Sequence, residues 1–207
     1  MKVRLKICGM KVPANISEAV DLKPDYLGFI FYPGSKRFVK DLDAAEIRNI
    51  PASIKTTGVF VNQDLAEVKQ AVTAYRLKAV QLHGDESPEY CRSIRGDVEV
   101  IKAFGVDASF DFSQLDAYSA VVDYFLFDTK TAQHGGSGKT FSWALLQNYT
   151  LSQPYFLSGG IGPESISELQ QIDDNRLYAI DVNSRFETAP GLKDIEQLKK
   201  FKNLLCC

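Results

Sequence analysis

The sequence has no apolar run approaching the ~20 residues that a bilayer crossing requires. It also has no excess of one charge. A net charge of −2 and a pI of about 5.7 provide no surface-wide attraction for nucleic acid or an anionic membrane, so neither is an expected partner and any basic site must be local. The opening MKVRLKICGM lacks the apolar core of a signal peptide and reads as a strand, which makes the cytoplasm the expected compartment. The four cysteines, Cys8, Cys91, Cys206 and Cys207, show no CxxC spacing and no Cys/His cluster, which argues against zinc and against a disulfide framework. Cys206 and Cys207 read as incidental thiols of a frayed end, and Cys91, within a helical pattern, as a small buried apolar group. No linker or low-complexity segment marks a boundary, so residues 1–207 are read as one domain. No GxGxxG follows the first strand, which ends in Cys8-Gly9-Met10. The Gly-rich stretch Gly135–Lys139 mimics a Walker loop, but Gln133 stands where that motif needs glycine.

What is present is a repeating pattern. Eight short apolar runs recur: Val3–Cys8, Tyr26–Phe31, Lys55–Val61, Ala79–Leu82, Val98–Phe104, Tyr124–Phe127, Tyr155–Ser158 and Leu177–Val182. Their length and near-continuous apolarity are those of strands buried on both faces. Helix signals lie between them. Asp64 and Glu67 have capping-box spacing, Ser87-Pro88-Glu89 is an N-cap followed by proline, Gly162-Pro163-Glu164 opens another helix, and Lys193-Asp194 opens the last. Weaker patterns lie near residues 15–20, 43–49 and 109–118. Strands alternating with helices imply a parallel sheet, and eight units imply a closed (β/α)8 TIM barrel. At 207 residues its helical ring should be thin.

In such a barrel the C-terminal tips of the strands converge on one face. The tips here carry Cys8, Arg37, Asn62, His83, Asp128, Gly159-Gly160, Asp181 and Asn183-Ser184. One tip histidine and separated aspartates make a thin ligand set, so proton transfer on an anionic metabolite suits the inventory better than metal chemistry. Gly159-Gly160 and Asn183-Ser184 follow the seventh and eighth strands, where barrels commonly hold phosphate, although each pair alone also reads as a tight turn. Asp128 ends an apolar run with no helix start close behind it, which disfavours a capping role. Taken alone, Cys8 reads as a small buried hydrophobe. Arg37 fits a solvated loop charge or a carboxylate clamp. His83 fits a hydrogen bonder or a site residue, and Asp181 a hydrogen bonder at its tip.

Together these stretches resemble phosphoribosylanthranilate isomerase: KICG at 6–9, GFIFYPGSKR at 28–37, GVFVN at 58–62, QLHG at 81–84, FLFDT at 125–129, GGSGK at 135–139, FLSGGIGPE at 156–164 and DVNS at 181–184. The resemblance runs in order through nearly the whole chain. It implies a metal-free and cofactor-free isomerase of tryptophan synthesis, acting on a phosphorylated sugar-anthranilate by an Amadori rearrangement. It assigns Asp128 as general acid, Cys8 as general base, Arg37, His83 and Asp181 to substrate binding, and Gly159, Gly160, Asn183 and Ser184 to phosphate. A base of this kind works best near ambient pH, so the Cys8 thiol is expected to be depressed by charge in the site. After DVNS the family usually continues Gly-Val-Glu, whereas this chain has Arg185-Phe186-Glu187.

Three alternatives stand beside this reading: the sister isomerase of histidine synthesis, a bifunctional enzyme, and a phosphoribosyl-metabolite binding protein. The sister enzyme uses two aspartates, one where this chain has Cys8, and a binder needs no acid-and-thiol pair. Monomer and homodimer both remain compatible with the sequence, and Gly135–Lys139 reads as a flexible cover over the site.

Overall fold

The structure, a computed structural model, describes residues 3–130 and 141–205. The expected cover, Gly135–Lys139, lies outside the described residues, as do Cys206 and Cys207. Eight parallel strands pair in chain order and close into a barrel. They are β1 (Arg4–Ile7), β2 (Tyr26–Ile30), β3 (Lys55–Phe60), β4 (Ala79–Leu82), β5 (Glu99–Val106), β6 (Tyr124–Thr129), β7 (Tyr155–Leu157) and β8 (Leu177–Val182). The seam is the β1–β8 pair, with Lys6 opposite Asp181.

The two-residue period of each strand divides its side chains between lumen and helical ring. In β6, Phe125 and Phe127 belong to the outer core, while Leu126 packs inside with Tyr26, Ala79, Ile101, Ala103, Phe156 and Ala179. In β1, Leu5 and Ile7 face outward. The same alternation directs Lys6 and Cys8, Gln81 and His83, Leu126 and Asp128, and Ala179, Asp181 and Asn183 to the lumen. Apolar residues fill its base and polar ones its mouth.

Among the described residues six helices surround the sheet: α1 (Pro13–Asp21), α2 (Ala44–Arg48), α3 (Leu65–Tyr75), α4 (Pro88–Arg92), α5 (Ile166–Leu169) and α6 (Ile195–Leu205). The sequence signals set their starts. Asp43 and Asp64 accept from the amides of Ala45 and Ala66, Ser87 caps Tyr90 with Pro88 in the first turn, and Asp194 accepts from Gln197. The Asp64–Glu67 capping box forms only half: Glu67 accepts from the Gln63 side chain instead.

The ring is thin, as its length implies. Short 3-10 segments at Phe112–Ala117 and Trp143–Asn148 stand where longer helices would fit. Aromatic rings supply the cover there. Phe104, Phe110, Phe112, Phe125, Phe127 and Tyr149 contact one another in a chain, and each such ring buries a large apolar area with few backbone residues. Two short strands were not foreseen: β9 (Glu187–Ala189) pairs antiparallel with β10 (Leu192–Lys193) beyond β8. Among the described residues, no helix is long and apolar enough to cross a membrane.

Candidate active site

The lumen mouth is organised around a buried lysine. Lys6, fully enclosed, donates to Asp181 Oδ1 at 2.9 Å across the seam and to Gln81 Oε1 at 2.8 Å. Burial opposes its charge, but the Asp181 carboxylate and neighbouring Cys8 hold Lys6 above the ordinary lysine value. Burial also pushes the Asp181 carboxyl up against the pull of Lys6. A 2.9 Å contact with a donor-only ammonium favours the charged pair. Asp181 is therefore less a free tip group than the counter-ion of Lys6.

Cys8 is buried one residue beyond β1, with its amide donating to Val182 O at 2.9 Å. Space for it comes from Gly28, where a Cβ would lie 2.8 Å from the Cys8 Sγ. The expected depression of this thiol is corrected by its surroundings. Burial pushes Cys8 up, Lys6 and Lys193 pull it down, Asp181 adds to the rise, and the net direction is upward. Taking a thiolate out of water costs more here than two nearby ammonium groups return.

Asp128, at the mouth end of β6, accepts the Thr129 amide on Oδ1 at 2.7 Å, and its Oδ2 lies 3.4 Å from His83 Nε2. Gln81 Nε2 lies 2.9 Å from His83 Nδ1. The support under His83 is a buried pair: Lys102 contacts Glu86 at 3.1 Å and also donates to the carbonyls of Leu82 and Gly84. Glu86 in turn accepts the amides of Asn62 and Gly84. Asn62, a tip residue in the sequence reading, is thus a structural bridge at positive φ (51°).

Arg37 lies against a carboxylate of this chain. Its Nε and Nη2 donate to Glu187, the shortest contact being 2.7 Å. Lys193 donates to the same carboxylate at 2.7 Å and to Asn183 Oδ1 at 2.7 Å. Burial works against the Glu187 charge, yet Arg37 and Lys193 hold its carboxyl below the usual range. Burial also holds Lys193 below the ordinary lysine value, against the pull of Glu187. No Arg37 Nη1 bond is present among the described residues, so the guanidinium keeps an edge for a second acceptor while Glu187 fixes its plane.

Gly159 and Gly160, just past β7, both have positive φ, 91° and 66°, a backbone that other residues adopt only with strain. Asn183 and Ser184 lead from β8 into a short 3-10 turn, Ser184–Phe186. Arg185, where the family pattern is broken, points outward to Glu164 at 2.5 Å. It ties the turn after β8 to the helix start after β7.

Sequence reasoning missed Lys6, Gln81, Glu187, Lys193 and Gly28. The first two carried a signal, since a lysine or glutamine within a strand buried on both faces has to be paired. So did Gly28, because glycine in a strand interior often marks a close approach. Among the described residues no three His, Cys, Asp or Glu side chains gather as a metal site.

Comparison with known proteins places this arrangement. A family model described as N-(5'phosphoribosyl)anthranilate (PRA) isomerase matches residues 5–203. The N-(5'-phosphoribosyl)anthranilate isomerase of Parabacteroides distasonis is 43% identical over 202 residues, covering 95% of this chain and 90% of that protein. The crystal structure of phosphoribosyl anthranilate isomerase from Thermus thermophilus superposes with a TM-score of 0.85 at 31% identity, over 98% of each chain. A further isomerase structure, TM-score 0.80 at 33% identity over 98% of each chain, holds reduced 1-(o-carboxyphenylamino)-1-deoxyribulose 5-phosphate. With the match running through every strand tip of the barrel, this chain belongs to the N-(5'-phosphoribosyl)anthranilate isomerase family.

Proposed function

We propose that the chain converts N-(5-phosphoribosyl)anthranilate to 1-(2-carboxyphenylamino)-1-deoxyribulose 5-phosphate, with Asp128 as general acid and Cys8 as general base. One observation carries the assignment: the strand period turns an acid from β6 and a thiol from β1 toward one lumen mouth, rimmed by Arg37 and the two Gly/Asn/Ser turns. The relative that binds a reduced product analogue supports a ligand carrying both a carboxylate and a phosphate.

Protonated Asp128 delivers its proton to the furanose ring oxygen. The C1′–O4′ bond breaks, the anthranilate nitrogen supplies the electron pair, and a protonated imine results. That cation acidifies the C2′ proton, which the Cys8 thiolate removes to leave an enolamine; tautomerisation gives the ketone. The imine also offsets the cost of ionising a buried thiol. Burial raises Cys8, and a positive charge arriving beside it favours the thiolate at the step that needs it. Arg37, oriented by Glu187, receives the anthranilate carboxylate on its free edge. Gly159, Gly160, Asn183 and Ser184 hold the phosphate, which fixes C1′ and C2′ between acid and base as a positioning contribution.

The test is loss of anthranilate-adduct fluorescence with purified protein, paired with complementation of tryptophan and histidine auxotrophs lacking the respective isomerases. Rescue of the tryptophan strain alone is expected. Asp128→Asn should lower kcat by roughly 10²–10⁴ while product affinity is retained. Full turnover by that variant overturns the role of Asp128, and rescue of the histidine strain overturns the substrate.

A further inference from the structure

The contacts of Lys6 have a consequence at the far side of the lumen. A lysine ammonium only donates, so the Gln81 oxygen must be the atom facing Lys6 at 2.8 Å, with the amide nitrogen turned away. That nitrogen carries two hydrogens and no acceptor, and it lies 2.9 Å from His83 Nδ1. His83 Nδ1 must then accept. In a neutral imidazole the proton is on the other nitrogen, and the other nitrogen, Nε2, lies 3.4 Å from Asp128 Oδ2. Asp181 anchors the start of this chain by holding Lys6 at 2.9 Å. Four contacts thus connect β8, β1, β4 and β6 in one polarised row.

We infer that Lys6, acting through Gln81, fixes His83 as the Nε2–H tautomer and so keeps a hydrogen-bond donor facing the Asp128 carboxylate. Lys6 and Gln81 are positioning residues. Neither needs to touch substrate; their effect is to decide which nitrogen of His83 carries the proton. The inference rests on the reading of Asp128 as the acid. An acid that gives its proton to the ring oxygen becomes a carboxylate in a confined site, and a donor waiting at Oδ2 stabilises that anion as it forms. The opposite tautomer would present a lone pair to the carboxylate and repel it. A proton on Nδ1 would also face the hydrogens of Gln81.

The decisive measurement is the 15N spectrum of the imidazole rings in substrate-free protein near neutral pH. The chain has only two histidines, His83 and His134, so a His134→Gln variant assigns His83 directly. The expected spectrum has a protonated Nε2 and an unprotonated Nδ1. Gln81→Glu retains the shape and the Lys6 contact but replaces the donor by an acceptor. It should move the His83 proton to Nδ1 or charge the ring, and should lower kcat by about 10–100-fold, by analogy with the loss of a partner that orients a metal-ligating histidine, with KM little changed. Lys6→Met, which frees the amide to turn, should give a mixture of tautomers and an intermediate loss. Because Lys6→Met leaves Asp181 buried and unpaired and its folding is at risk, Gln81→Glu is the primary variant.

A Nδ1–H or charged His83 in the unaltered protein overturns the inference, as does an unchanged tautomer in Gln81→Glu. An inverted tautomer with unchanged kcat overturns the positioning role. The tautomer is read without substrate or turnover, so a failure of Asp128 as the acid, seen in Asp128→Asn kinetics, is distinguishable from a failure here.

Discussion

Gly159→Ala is the substitution through which the turn after β7 and the acid on β6 can be probed together. At φ 91° any side chain is strained, and a Cβ there would lie 2.4 Å from Thr129 Oγ1, 2.5 Å from the Thr129 amide nitrogen and 2.9 Å from Asp128 Oδ1. Ordinary contact begins at 3.4 Å, so the Thr129 backbone must retreat by nearly an ångström. That amide holds Asp128 Oδ1 at 2.7 Å. The backbone strain costs about 1–2 kcal/mol and the overpacking about 1–3 kcal/mol, or about 2–5 kcal/mol together. For a chain of this size that is a fall in Tm of about 4–20 °C.

If Asp128 is the acid proposed above, displacing it by about 1 Å should also reduce kcat by about 10²-fold. Gly96→Ala is the matched control: its φ is 103° with nothing within 4 Å of the added methyl, so it carries the strain alone, about 1–2 kcal/mol. Thermal unfolding by circular dichroism and turnover by fluorescence are measured on both variants. Equal losses of Tm with normal kcat in Gly159→Ala would refute the coupling between turn and acid.

Alkylation of Cys8 as a function of pH, without substrate, should give a midpoint above the ~8.5 of a free thiol, because burial outweighs Lys6 and Lys193; a lower midpoint reverses that balance. Glu187 has a folded value below its unfolded one, so its contribution is present above the unfolded value of about 4.3 and is lost as pH falls through the lower folded value. Glu187→Gln should therefore flatten the loss of stability in acid, and urea melts across that range that parallel the parent curve would count against it. Lys102→Met leaves Glu86 buried without its ammonium. It should cost about 3–5 kcal/mol, seen as a lower urea midpoint at unchanged slope.

The barrel was legible because eight apolar runs and their caps repeat, and because the strand period alone sorts Leu126 from Phe125 and Phe127. The tips followed from the same logic: Cys8, His83, Asp128 and Asp181 lie where alternation sends them. What stayed hidden arises between distant strands. Lys6 meets Asp181 only after the seam closes, and β9–β10, of three and two residues, is too short to carry any period. Glu187 and Lys193 ride on that hairpin, so the carboxylate that orients Arg37 from within the chain had no sequence signal. The direction of the Cys8 shift was missed for another reason. It is a difference between burial and two flanking lysines, and residue order contains neither quantity.

The β1–β8 seam also ranks the events of biosynthesis. Lys6 and Asp181 are 175 residues apart, so at a synthesis rate of about 5–20 residues per second the first strand waits about 9–35 s for the strand that neutralises its lysine. Until then Lys6 remains in water, where an ammonium is well solvated, and the first strand lacks one edge partner. Closure is thus a late event that depends on contacts remote in sequence, the kind that folds slowly. A charge that only the last strand of the barrel can neutralise acts as a check that the whole circle has been completed.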